Sequence, residues 1–173
     1  SYGISRNFHL SDFHQLTARD LFSFLFQNGL VLYFSNEETS HRGRKVHAQI
    51  EETLRNLRAN NFEAKFAKDR NAAKEMVLNS IVKDTVVGIA DSATVRQTGI
   101  VEELAKRGIR VLNPFTKELT IDPAKTTVRD NISRRIFSCD VLVAGTNAVT
   151  RDGRLVNIDA VGNRVASMIF GPK

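Results

Sequence analysis

The amino-acid sequence predicts an α/β fold, a mainly parallel sheet with helices packed on it. Short apolar runs at residues 85–90, 109–112 and 140–145 have the length and composition of buried strands. Between them, apolar residues recur at helical spacing, and that alternation is what a parallel sheet with crossover helices requires. Asp, Thr, Asn and Gly residues stand where those helices start and stop.

Thr17 with Asp20 resembles a capping box with Asp in place of Glu, which predicts a helix running to Gln27 and ended by Asn28-Gly29. Residues 30–34 follow as a strand, and 35–44, SNEETSHRGR, as a polar linker or mobile loop. Val46, Ile50, Leu54 and Leu57 are spaced as one helix face, closed by the Asn60-Asn61 pair. Phe62, Ala64 and Phe66 alternate with charged residues, the pattern of a strand near a sheet edge. Asp69 caps a helix to about Ile81; Thr94 with Gln97 caps another that runs to Arg107 and ends at Gly108. A loop containing Asn113-Pro114 and Asp122-Pro123 leads to a helix with the stripe Val128, Ile132 and Ile136. After the strand at 140–145, Asp152-Gly153 marks a hairpin tip, because Gly accepts the positive φ of such turns. Residues 155–159 return as a strand, and Gly162-Asn163 opens a short helix over 164–170 that Gly171-Pro172 stops.

A chain of 173 residues that is 42% hydrophobic and 25% charged suits one globular core. With no apolar stretch of membrane-span length and no signal-peptide pattern, a soluble cytoplasmic protein is expected. The single cysteine, Cys139, excludes an intrachain disulfide and a cysteine-ligated cluster or zinc site built from this chain alone. His9, His14, His41 and His47 are all the histidines, so the remaining sequence has little with which to ligate a metal, and no metal site is predicted. The net charge of +6 is spread along the chain without a block of like charge, which argues for a basic surface with a local anion site over a nucleic-acid groove. Six of the eleven Phe lie in the first 34 residues, and this segment is expected to pack on a second subunit or to complete the sheet.

Open α/β sheets bind ligands outside the carboxyl ends of their strands, where helix N-termini and loop amides converge. Two loops are predicted at such ends. The one after residues 85–90 carries Ser92 and Thr94, candidate ligand-binding residues that are equally suited to helix capping. The one after 140–145 begins a run in which Asn147, Thr150, Asn157, Asp159, Asn163 and Arg164 put six polar groups into 18 residues, more than turn chemistry requires. Asn147, Thr150, Asn157, Asn163 and Arg164 are candidate ligand-binding residues, and all but Thr150 are expected to share one cleft with Asp159. Asp159 is the candidate catalytic acid–base, provided burial raises its pKa; a salt bridge to Arg164 or a cap on the next turn are its alternatives. Arg164 is expected to supply the main charge for recognition, at a helix start where free N–H groups and the backbone dipole favour an anion. Arg151, Arg154 and Arg164 are expected to bring their guanidinium groups to the same region.

Residues 147–173, NAVTRDGRLVNIDAVGNRVASMIFGPK, also resemble the signature of the LUD-domain family, the lactate-utilisation proteins. That signature runs as an Asn-Ala-x-Thr, an acidic-Gly turn, a Leu-Val-Asn-x-Asp strand and a Gly-Asn-Arg-x-Ala helix start. The upstream ADSATVRQTGI, residues 90–100, is similar to the family's Ser-x-Thr loop, with Ala90-Asp91 where the family tends to have Gly-Gly. The resemblance spans about residues 45–173 and implies a LUD-like domain there, after a Phe-rich extension over 1–44. LUD proteins usually continue past Gly171-Pro172-Lys173 with one more strand, so the domain is expected to lack its final strand. The fold implied is a Rossmann-like three-layer α/β/α domain, similar to ribose-phosphate isomerases, glucosamine-phosphate isomerases and CoA transferases.

The resemblance implies a small-anion-binding protein of lactate utilisation or a related organic-acid pathway. Iron–sulfur clusters, which the oxidation of lactate to pyruvate calls on in this family, would belong to partner subunits, since this chain has no cofactor ligands of its own. Whether the chain is an enzyme alone stays open. One alternative is a free-standing sugar-phosphate isomerase or CoA-transferase-like enzyme, in which Ser92, Thr94 and Arg164 hold phosphate and Asp159 moves a proton. The missing glycines at 90–91 count against close backbone approach to phosphate, and Asp91 would repel it. Another is a basic nucleic-acid-binding or scaffold domain, whose binding would fall steeply with salt.

Overall fold

The computed structural model describes residues 21–26, 29–34, 41–90 and 92–172, with side chains from residue 48 onward. Its sheet contains β1 (Leu21–Phe26), β2 (Gly29–Phe34), β3 (Glu63–Ala67), β4 (Val86–Ile89), β5 (Arg110–Leu112) and β6 (Val141–Gly145), in the order β3-β2-β1-β6-β4-β5. β2 with β3, β4 with β5 and β4 with β6 are parallel pairs; β1 runs antiparallel to both its neighbours. The helices are α1 (His41–Ala59), α2 (Arg70–Ser80), α3 (Ala93–Thr98), α4 (Ile100–Lys106), α5 (Lys117–Thr120), α6 (Thr126–Arg135) and α7 (Asn163–Phe170).

Side chains alternate across the strands and so build two cores. Val87, Ile89, Val141 and Val143 pack with Val77 of α2, Val95 of α3 and Leu104 of α4 on one face. Ala90, Leu142 and Ala144 pack with Ile136 and Cys139 on the other. Further along that second face, α1 buries Ile50, Leu54 and Leu57 against Ala64 of β3, and Met168 of α7 touches both clusters. Helices therefore cover both faces, and the protein is a Rossmann-like three-layer α/β/α domain with a mainly parallel sheet. Gly88 is what lets the second layer close on β4, since a Cβ there would lie 2.8 Å from the Cys139 Sγ and 2.9 Å from the Ile136 side chain.

Several expectations need correction. The helix predicted from Thr17 to Gln27 is a strand over its described part, Leu21–Phe26, paired with β2 from Leu21↔Phe34 to Phe26↔Gly29. LFSFLF is rich in aromatic residues that favour strands, and the apolar run GLVLYF gives it an antiparallel partner. The polar loop predicted for 35–44 already belongs to α1 from His41; residues 35–40 lie outside the described residues. The helix read from Thr94 to Arg107 is broken at Gly99, whose φ of 65° ends α3 and starts α4. Its cap is Ser92, which accepts from the Val95 N–H at 3.3 Å, and not Thr94. The strand predicted for 155–159 is only β8 (Leu155–Val156), paired with β7 (Ala148–Val149).

Other readings hold. Asp69 caps α2 by accepting from the Ala72 N–H at 2.8 Å, and β3 is the sheet edge. The Phe-rich stretch enters the middle of the sheet as β1 and β2, while residues 1–20, including Phe8 and Phe13, lie outside the described residues.

Candidate functional site

β4, β5 and β6 run in the same direction, so Ala90, Asn113 and Thr146 leave the sheet at one edge. From β4 the chain passes to the face of α3 and α4, and from β6 to the face of α7. Strand order thus reverses between β4 and β6, the place where such sheets leave a crevice.

At the end of β6, Arg164 ties three segments together. Its Nη1 donates to the Gly145 carbonyl at 2.8 Å, and its Nη2 to the Asn147 Oδ1 and the Ile158 carbonyl, both at 2.7 Å. Asn147 Oδ1 also accepts from the Ile158 N–H at 2.9 Å, so the 145–147 and 158–164 segments are locked side by side. Asn163 Oδ1 accepts from the Arg164 N–H at 3.0 Å, and Asp159 Oδ2 from the Val165 N–H at 3.0 Å. The first N–H groups of α7 are therefore capped from within the chain, and the anion at this helix start is Asp159 itself.

Desolvation raises the pKa of Asp159. Backbone N–H groups of Val165, Val161 and Arg164, with the Arg164 charge, outweigh it and hold the carboxyl below the ordinary aspartate range. The condition set for acid–base work, a raised pKa, is not met; of the alternatives, the cap on the following turn is the one formed. Asn157 follows β8, and its Oδ1 is buried without a hydrogen-bond partner among the described residues. A buried acceptor left open costs about 1–3 kcal/mol, which makes it a candidate for a ligand's donor.

The other candidates lie apart from this cluster. Thr150 belongs to the β7–β8 turn, where its hydroxyl bonds Asp152 and accepts from the Arg154 N–H at 2.9 Å. That turn is docked on α1: Asn56 Nδ2 donates to the Arg151 carbonyl at 2.7 Å and Asn60 Nδ2 to the Gly153 carbonyl at 2.8 Å. Arg151 pairs with Glu52 of α1 and Arg154 with Asp152 at 3.0 Å. The three arginines expected in one region thus serve different partners, because long-range docking of the turn claims Arg151. Thr94 lies in the first turn of α3.

Ser92 instead reaches a cavity of about 340 Å³ beside the carboxyl ends of β4 and β5. Ile89, Val101 and Phe115 form its apolar wall, and Asn113 and Thr116 add polar groups. Arg96, Glu102 and Lys117 bring charge to it. Glu102 comes from the first turn of α4 and Lys117 opens α5. Asn113 is oriented by accepting from the Phe115 N–H at 3.0 Å. Sequence reasoning missed all of these but Ser92. The signal was present, since Asn113-Pro114 directly follows a predicted strand and is a third loop at the same edge. Asp91 lies outside the described residues.

No group of His, Cys, Asp and Glu suited to a metal occurs among the described residues. Cys139 does not fit a cluster ligand: it is buried, its thiol donates to the Val141 carbonyl at 3.2 Å, and burial pushes its pKa up, against the thiolate that iron binding needs. Among the described residues, no helix is long and apolar enough to cross a membrane.

A three-layer α/β domain whose polar loops gather at one carboxyl edge is a Rossmann-like domain by its architecture. The model of the LUD domain matches residues 50–173, most of the chain, and the protein belongs to the LUD-domain family. No curated protein and no solved structure matches it.

Proposed function

We propose that this LUD-domain protein binds a small organic acid at the carboxyl edge of its sheet and serves lactate utilisation or a related organic-acid pathway. The observation that carries this reading is the cavity beside β4 and β5, whose lining joins Lys117, Ser92, Asn113 and Thr116 to an apolar wall. A cation with neighbouring amide and hydroxyl groups suits a carboxylate, and the wall suits its carbon body. Ser92 contacts the ligand and Thr94 supports its helix, while Asn147, Asn163 and Arg164 hold the adjoining β6 edge in shape. Asn157 offers an open acceptor and Thr150 fixes the hairpin. Asp159 stays ionised as the anion at the start of α7. Electrons removed from a bound acid would pass to iron–sulfur clusters of partner subunits, since the buried Cys139 is the one thiol here.

Thermal unfolding tests this directly. A ligand at about 100 times its dissociation constant adds about 2.7 kcal/mol, which raises Tm by about 5–10 °C for a domain of this size. Lactate and longer 2-hydroxy acids are expected to stabilise the protein. Stabilisation by ribose 5-phosphate or CoA, with none by the acids, would support the sugar-phosphate or acyl-CoA alternative instead.

A further inference from the structure

The cavity carries one feature that a site for a simple anion does not need. Glu102 and Lys117 both line it, and among the described residues neither side chain is engaged in an ion pair or hydrogen bond. Glu102 stands in the first turn of α4, just after the left-handed turn at Gly99. That turn separates α3 from α4, and the Glu102 Oε2 lies 3.8 Å from where a Gly99 Cβ would be. Its neighbour Glu103 turns elsewhere, to Arg107 at 3.5 Å and Lys106 at 3.8 Å.

From this we infer, resting on the reading of the cavity as an organic-acid site, that Glu102 is its specificity-determining residue. It admits carboxylic acids that carry an O–H or N–H donor and an apolar body, and it rejects the corresponding 2-oxo acids. The ionised Glu102 is acceptor-only, so a ligand hydroxyl or ammonium satisfies it, whereas a keto oxygen faces it with a second acceptor. A bare monocarboxylate would pair with Lys117 but offer Glu102 no donor. The apolar body follows from Ile89, Val101 and Phe115, and from a volume of about 340 Å³, more than a three-carbon acid fills. A site that must pair a substrate O–H or N–H discriminates far more sharply than an apolar pocket does, because the mismatched ligand leaves a polar group unpaired.

Calorimetry with three acids of one carbon skeleton isolates the effect: 2-hydroxyisocaproate, leucine and 2-oxoisocaproate. Wild-type protein is expected to bind the first two at least about tenfold more tightly than the oxo acid. Glu102→Gln, which can donate to a keto oxygen, is expected to bring the three within about threefold of one another. Glu103→Gln changes the helix-end charge equally but not the cavity, and is expected to keep the wild-type ratio. Equal wild-type affinities, an unchanged ratio in Glu102→Gln, or the same collapse in Glu103→Gln would overturn the role of Glu102 while leaving the acid site standing. Lys117→Met is expected to weaken all bound acids together. Failure of every acid to bind, or full affinity in Lys117→Met, would remove the acid site itself.

Discussion

Gly153→Ala is expected to destabilise the protein by about 2–5 kcal/mol, the sum of a left-handed backbone cost and overpacking. Gly153 has φ of 80°, and a Cβ there would fall 2.5 Å from the Asn56 carbonyl carbon and 2.6 Å from the Leu57 nitrogen. Both are backbone atoms of the last turn of α1, where the Asn56 and Leu57 carbonyls are held by the Asn60 and Phe62 N–H groups at 3.0 Å, so the helix has little room to step aside. The hairpin would have to lift off α1, losing the Asn56 and Asn60 hydrogen bonds and uncovering Val149 and Leu155, which pack on the α1 cluster. Urea unfolding with an unchanged slope and a lower midpoint is the expected result. Gly108→Ala is the comparison: its φ is 71° but nothing lies within 4 Å of its Cβ, so only the backbone cost applies.

Arg164→Met is expected to cost about 2–4 kcal/mol, less than three separate charged hydrogen bonds would sum to because the site is partly solvated. It leaves the Gly145 and Ile158 carbonyls and the Asn147 Oδ1 without their shared donor. Arg164→Lys is expected to recover only part of this, since an ammonium cannot span the three acceptors as the planar fork does. The substitution also changes the acid limb of stability. A carboxyl whose folded pKa is depressed adds stability that is present above its unfolded value of about 3.9 and is lost as pH falls through the folded value. Arg164 is one of the causes holding Asp159 low, so its removal moves that loss to higher pH. Unfolding midpoints measured from neutral pH down to about pH 3 are expected to show the variant's acid limb beginning earlier.

Much of the fold was legible because its signals are local. The short apolar runs of β4 and β6, the stripe of α1 and the Asp69 cap each follow from a few neighbouring residues. Where two physical readings shared one signal, the sequence was ambiguous. Residues 21–26 fit a helix or a strand by local pattern, and only pairing with residues 29–34 decides for the strand. Ser92 and Thr94 are both competent caps, and α3 starts from the earlier one, whose side chain accepts from the Val95 N–H. The candidate site was half legible for the same reason. Asn147, Asp159, Asn163 and Arg164 lie close in sequence and meet around one helix start. The cavity joins loops that follow β4 and β5 with the first turn of α4, and no short-range pattern links Ser92, Glu102 and Lys117. Thr150 was drawn into the set by its neighbours in sequence, but contacts with α1 nearly one hundred residues away decide its place.

The central claim is that the ligand sits beside the carboxyl ends of β4 and β5. An amide chemical-shift map of the protein titrated with 2-hydroxyisocaproate tests it most directly. Saturable shifts concentrated at Ser92, Glu102, Asn113, Thr116 and Lys117 are the predicted result. Shifts confined to α1 and the β7–β8 turn, or no saturable shift at any acid concentration that leaves the protein folded, would contradict it.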